Sequence, residues 1–178
     1  YGRKAKEPLL CANVGNGSGQ HLSGELFGSM SGAPIKPVPY KGAPPSALDL
    51  ITGALSMAIL PSTVAVPHVK SGKLRALAVT SAKRTPLAPE WPALSETLAG
   101  YQFSGWYGLM APAATPSDII NRLNEAVGKI INTPEMKELL NKGGLEPHAN
   151  TPREFAAFVK SQLEKSRKLV KVAGIPAE

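Results

Sequence analysis

The stretch Ala12-Asn13-Val14-Gly15-Asn16-Gly17-Ser18-Gly19-Gln20-His21 joins a short apolar run to an amphipathic helix through a turn rich in Gly, Asn and Ser. Glycine lets a backbone turn tightly and approach a ligand closely, and the first N–H groups of a helix have no partner within it. Those donors sit at the positive end of the helix dipole, so such a turn can hold a carboxylate or a phosphate. Gly-rich turns from strand to helix also occur in α/β domains that bind nothing there, and the turn alone leaves both readings open.

Outward from this turn, strand and helix alternate. Residues 9–14 read as a buried strand, and Leu22, Leu26, Phe27 and Met30 then recur at helical spacing up to Gly32. Residues 35–40 read as a second strand, followed by the turn Lys41-Gly42-Ala43 and a helix from Pro44 to Gly53 whose prolines fall in the first turn, where they are tolerated. Residues 55–60 form an apolar strand, 62–70 a helix interrupted late by Pro67, and 74–80 a further strand after Ser71-Gly72-Lys73. The alternation argues for an α/β lobe.

Pro86, Pro89 and Pro92 break the pattern between 83 and 92, a short helix is expected at 94–98, and 103–111 reads as a strand-like run crossing to a second body. The remainder is helical. Thr115-Pro116, Thr133-Pro134 and Thr151-Pro152 each read as an N-cap followed by proline at the first helical position, and Thr151 with Glu154 forms a capping box. One helix buries Ile119, Ile120, Leu123, Val127, Ile130 and Ile131 on one face, and the last offers Phe155, Phe158, Val159 and Leu163. Only the Trp106 run and a short strand at 145–148 are left to cover these stripes. The region therefore reads as the closing half of a lobe begun upstream, which predicts an exposed apolar surface around Trp106 and Ile119 and dimerisation of the fragment through it.

With 178 residues, 43% of them hydrophobic, the chain can build a substantial core, and it has no apolar run approaching a membrane span. Its 20 Lys and Arg against 13 Asp and Glu give a net charge of +7. Such an excess invites nucleic acid, anionic membrane or a small anion. The cations are dispersed and lack interleaved aromatics, so no nucleic-acid partner is expected, while attraction of an anionic solute fits.

Residue chemistry points to binding more than to reaction. His21, His68 and His148 lie in separate elements without companions at metal-ligand spacing, so neither a metal nor a cofactor is expected. No nucleophile elbow or P-loop is present, and Gly15 to Gly19 does not match the dinucleotide fingerprint. Cys11, the single cysteine, reads as a small buried hydrophobe. His21 falls in a first helical turn, where its ring serves either the same anion or a structural contact. A small hydrolase-like or transferase-like enzyme using Cys11 or His21 is the alternative function. Tyr40 and the turn Pro61-Ser62-Thr63 follow predicted strands, and ligands of open α/β sheets gather outside such ends. Tyr40 is a ligand contact or a packing aromatic, and Trp106 a core residue or a platform facing a cleft.

The ordered series Gly17-Ser18, Gln20-His21-Leu22, Glu25-Leu26-Phe27, Val38-Pro39-Tyr40-Lys41-Gly42, Pro67-His68-Val69 and Gly72-Lys73-Leu74-Arg75-Ala76-Leu77-Ala78-Val79-Thr80 carries a family likeness. It continues through Trp106, Gly108, Leu109, Ala111-Pro112, Thr115-Pro116, Ile120, Leu123-Asn124 and Ala173-Gly174-Ile175. The chain resembles the tripartite tricarboxylate transporter receptors, the Bug-type periplasmic solute-binding proteins. That resemblance implies an α/β fold of the type II periplasmic-binding-protein kind, with residues 1–7 between lobes, 8–100 forming one near-complete lobe, and 101–178 returning to the other. The first half of that other lobe and a signal peptide would precede Tyr1. It further implies a periplasmic, non-catalytic receptor that captures a small carboxylate between its lobes and delivers it to membrane permease subunits. In such a site the amides of Gly17 to Gly19, with Asn13 and Ser18, would grip a carboxylate, and Leu60-Pro61-Ser62-Thr63 would meet its far end. Family members often carry an acidic residue where this chain has Leu60, which disfavours an amino-acid ligand. Their frequent serine before the Gly-rich turn is Asn13 here, which keeps hydrogen bonding but changes its reach.

Overall fold

The computed structural model describes residues 6–172. Tyr1 to Ala5, most of the expected inter-lobe segment, and the motif Ala173-Gly174-Ile175 lie outside the described residues. Two compact units are present: 6–105 together with 166–172, and 106–165.

In the first unit, β1 (Leu9–Asn13) lies at the centre of a three-stranded parallel sheet between β2 (Ile35–Pro39) and β3 (Met57–Ala58). The register pairs Leu9 with Ile35 and Asn13 with Pro39 on one side, and Cys11 with Met57 on the other. Pro37 and Pro39 remove donors from a ladder, so β2 tolerates them only because it is an edge strand. Helix α1 (Gly19–Ser31) connects β1 to β2, and α2 (Ala43–Thr52) connects β2 to β3. Right-handed crossovers in this order place α1 and α2 on opposite faces.

The first helix lies close on the sheet because its inner face is nearly bare. A Cβ on Gly24 would sit 3.4 Å from Cys11 Sγ, and one on Gly28 would sit 3.0 Å from Ile35 Cγ1. The spacing of four residues puts both glycines on one face. Cys11, Ala12, Leu22, Ala43, Ala47, Leu55 and Tyr101 form much of the core. Left-handed glycines stop both helices, Gly32 at φ 68° after α1 and Gly53 at φ 82° after α2.

Beyond β3 the expected elements shorten. The strand read at 55–60 is ordered as a ladder only at Met57–Ala58. Helix α3 (Ser62–Lys70) forms as expected with Pro67 inside it. The strand read at 74–80 does not form. Its ladder contact is a single bridge from Val79 to Ala93, with Val79 N–H donating to Pro92 and Leu94 N–H to Val79. β-branched and apolar composition alone does not make a strand where no neighbouring strand pairs with the backbone. The short helix expected at 94–98 is a 3-10 turn at Leu94–Glu96.

The second unit contains α4 (Ser117–Ile131), α5 (Pro134–Lys142) and the first part of α6 (Pro152–Val172). Thr133 caps α5 by accepting from Met136 N–H, and Thr151 and Glu154 make the expected capping box at α6. Thr115 does not cap α4; Pro116 occupies the N-cap position, without a side-chain hydrogen bond. Neither the 103–111 run nor 145–148 forms a strand. The apolar stripe of α4 consequently has no sheet to lie on within the described unit. Ile119, Leu123 and Ile130 are exposed rather than buried, and so are Trp106, Tyr107, Leu109 and Met110. The exposed apolar surface expected around Trp106 and Ile119 is thus present.

Candidate functional site

The parallel order β2-β1-β3 sends the first connection away from β1 to one side and the second back past it to the other. A crevice opens at such a reversal, outside the carboxyl ends of the strands, because the two flanking loops diverge. Asn13 ends β1, Tyr40 follows β2, and Leu60, Pro61 and Ser62 follow β3. The sheet therefore carries all five to one edge of the first unit, together with the turn 14–18.

Asn13 is 2% exposed. Its Oδ1 accepts from Gly15 N–H at 2.9 Å, while its Nδ2 is buried and has no protein partner. An amide donor left in that state costs about 1–3 kcal/mol of desolvation unless something accepts from it. Its main chain is satisfied on the β2 side, where Tyr40 N–H donates to Asn13 O at 2.8 Å.

The turn itself is strung on internal hydrogen bonds. Gly15 and Gly17 take φ of 124° and 73°, conformations that strain residues with a Cβ. Ser18 N–H donates to Gly15 O, and Ser18 Oγ accepts from His21 N–H at 3.3 Å, capping α1. Gly17 N–H donates to His21 Nδ1 at 3.1 Å. The Gly17 amide, expected among the ligand donors, is therefore committed to its own chain. The first-turn N–H groups of Gly19 and Gln20 have no carbonyl four residues back in helical position, and they are the donors that α1 presents.

His21 is 8% exposed, with Nε2 3.6 Å from Glu25 Oε1 one helical turn on. Because a backbone N–H can only donate, the Nδ1 it reaches carries no proton, and the ring's own N–H is at Nε2, facing the carboxylate. The Tyr40 hydroxyl donates to Asp49 Oδ2 at 2.7 Å, and that bond holds the phenol above its ordinary range. Tyr40 thus serves the fold through its hydroxyl. Leu60, Pro61 and Ser62 are half-buried, and α3 starts at Ser62 without a side-chain cap. Phe103, which the sequence reading passed over, stands against the α1 start: a Cβ on Gly19 would sit 3.3 Å from its ring. Its signal was faint, an aromatic in an irregular run.

Trp106 belongs to the second unit. It packs edge-on against Phe155 and Phe158 of α6, with ring centroids 5.7 and 5.4 Å away. Cys11 is buried, and burial first, with the Glu25 charge adding less, pushes its thiol up to about 11. A thiol so placed stays protonated near neutrality, whereas the reactive form of cysteine is the thiolate. Among the described residues no three His, Cys, Asp or Glu side chains cluster as metal ligands, and no helix is long and apolar enough to cross a membrane.

Residues 1–175 match the model of the tripartite tricarboxylate transporter family receptor. The chain belongs to that family. Among relatives of this receptor chain is the protein BugT of Bordetella pertussis, 33% identical over 89% of this chain and 49% of its own length. A solved structure described as R. palustris Rpa4515 with adipate is 34% identical, with a TM-score of 0.92 over 98% of this chain and 59% of that one. The periplasmic binding protein BugD is 30% identical, with a TM-score of 0.85 over 96% of this chain and 58% of that one. The chain spans about half the length of most curated relatives it matches. Its fold is that of the part of these solved structures that it covers.

Proposed function

We propose that this chain supplies one wall of a periplasmic receptor site that captures a small carboxylate, of the dicarboxylate class, without transforming it. The observation that carries the reading is the set of three unsatisfied donors in the passage from the end of β1 to the start of α1. The buried Nδ2 of Asn13 lacks an acceptor, and the first-turn amides of Gly19 and Gln20 lie on the same turn at a helix start. A carboxylate has the charge and the lone pairs to satisfy both sets at once.

The start of α3 at Pro61–Ser62 provides a second positive dipole end on the same sheet edge, suited to the far carboxylate of a dicarboxylate. Leu60 places an apolar side chain there in place of an acidic one, which favours a plain carboxylate over a ligand bearing an ammonium group. Support from relatives is the similar protein solved with adipate. The division into a ligand-binding lobe at 8–100 and a return to the other lobe at 101–178 forms part of this proposal, as does Trp106 as a cleft residue. Delivery to membrane permease subunits completes it.

The alternative enzyme, with Cys11 or His21 as reactive group, has against it a thiol held protonated by burial and an imidazole whose Nδ1 is taken by Gly17 N–H. The test is calorimetric titration of the complete protein that carries this chain with adipate, shorter dicarboxylates, monocarboxylates and amino acids. Saturable dicarboxylate binding, weakened at least tenfold by Asn13→Leu, is expected. Equal affinity in Asn13→Leu, or binding by none of the panel, would refute it.

A further inference from the structure

We infer that His21 is a positioning residue that acts as a proton-sensitive latch on the anion-binding turn, so that capture weakens when its imidazole takes up a second proton. The inference rests on the carboxylate reading above and adds regulation to that site. Its basis is geometric. Gly17 N–H donates to His21 Nδ1 at 3.1 Å, and the residue is 8% exposed beneath the turn. The same residue's main-chain N–H is held by Ser18 Oγ at 3.3 Å. Ring and backbone of His21 therefore tie down two of the turn's residues.

Protonation of Nδ1 would set two donors face to face, N–H against N–H, with no acceptor between them. The bond would be lost and the turn released from the ring. The Gly17 amide would rotate away from its φ of 73°, and the alignment of the Gly19 and Gln20 amides behind it would go with it. The added positive charge on the ring is not free to compensate by attracting the ligand, because Glu25 Oε1 faces it from 3.6 Å. Among the described residues, the titratable groups seen in contact with α1 from other elements are Cys11 of β1 and Tyr101, whose hydroxyl bonds Ser23. Burial raises both, so both stay neutral across the range in which an imidazole titrates.

The test uses the complete protein, with adipate as probe. Wild type is expected to bind several-fold more weakly at pH 6.0 than at pH 7.5. His21→Asn, whose Oδ1 hangs from the same Cγ as Nδ1 and does not titrate, keeps the wild-type affinity of pH 7.5 and loses the part of the difference between the two pH values that the ring contributes. It retains whatever the ligand's own titration contributes. His21→Leu loses about fivefold at both pH values, the equivalent of one net hydrogen bond. Nitrogen-15 spectra of the unliganded protein supply a readout that needs no ligand. The His21 Nδ1 resonance should be that of an unprotonated, hydrogen-bonded nitrogen at pH 7.5, and the Gly17 amide proton should move upfield in His21→Leu but not in His21→Asn. Equal pH dependence in wild type and His21→Asn, or a protonated Nδ1 at pH 7.5, overturns the latch. If adipate and its relatives fail to bind at any pH while the spectra behave as stated, the carboxylate reading falls and the latch contact stands.

Discussion

Tyr101 is the largest side chain wholly inside the first unit, at 1% exposure, and its hydroxyl sits on α1. It bonds the Ser23 hydroxyl at 2.7 Å and donates to the Ser23 carbonyl at 3.0 Å. If the tyrosine proton goes to the carbonyl, the serine hydroxyl must donate to the tyrosine oxygen. Tyr101→Phe removes both bonds at once and leaves the serine hydroxyl, 0% exposed, without its partner. Two net hydrogen bonds at about 1 kcal/mol each, with part of the desolvation cost of an orphaned hydroxyl, give a loss of about 2–3 kcal/mol. Ser23→Ala is milder, about 1 kcal/mol, because the tyrosine keeps its carbonyl acceptor. The double variant has no orphan, so it should cost less than the sum of the singles by about 1 kcal/mol. Urea denaturation followed by circular dichroism measures all four corners of this cycle, with unchanged slopes as the check that the same transition is compared. A Tyr101→Phe cost below about 0.5 kcal/mol would refute the reasoning. It would mean that the serine hydroxyl turns to a carbonyl of its own helix at no net loss, as serines in helices can.

Burial holds the Tyr101 hydroxyl above its ordinary value near 10, so its stabilising contribution is complete below that value and is lost as pH rises toward the folded one. An alkaline unfolding series should show wild type losing more stability above about pH 10 than Tyr101→Phe does. Arg84 donates through Nε and Nη2 to the two oxygens of Glu96 at 2.8 Å each, and this holds the Glu96 carboxyl down to about 2. A carbon-13 titration of Glu96 should find its midpoint there, with the associated stabilisation lost as pH falls from the ordinary carboxylate range toward it; a midpoint in the ordinary range counts against the pair. Thr151→Ala removes an acceptor for Glu154 N–H and a donor to Glu154 Oε2, and should destabilise the start of α6 by about 1 kcal/mol, read as faster hydrogen exchange in its first turn. Gly108→Ala would drive a Cβ into the Phe155 ring, and a cost of about 1–3 kcal/mol in urea denaturation is expected.

The elements around the opening turn were legible because each rests on local chemistry. Gly32 and Gly53 end helices in left-handed conformations, and the Thr133 and Thr151 caps start others. All of these interactions span a few residues. Thr115 misled because a threonine before a proline has the composition of a cap, while the chain placed Pro116 itself at that position. The strand readings at 74–80, 103–111 and 145–148 failed for a different reason: an apolar run becomes a strand only when another strand accepts its hydrogen bonds, and that partner is never local.

The candidate site divides in the same way. The sequence by itself determined the glycines and the helix start, and with them the presence of amide donors at that turn. Only the tertiary structure decided that Tyr40 spends its hydroxyl on Asp49 and that Asn13 ends buried with a donor unmatched. A backbone conformation follows from neighbours along the chain, but the partner of a particular donor follows from which groups the sheet and helix bring within 3 Å of it, and that depends on the packing of the whole unit.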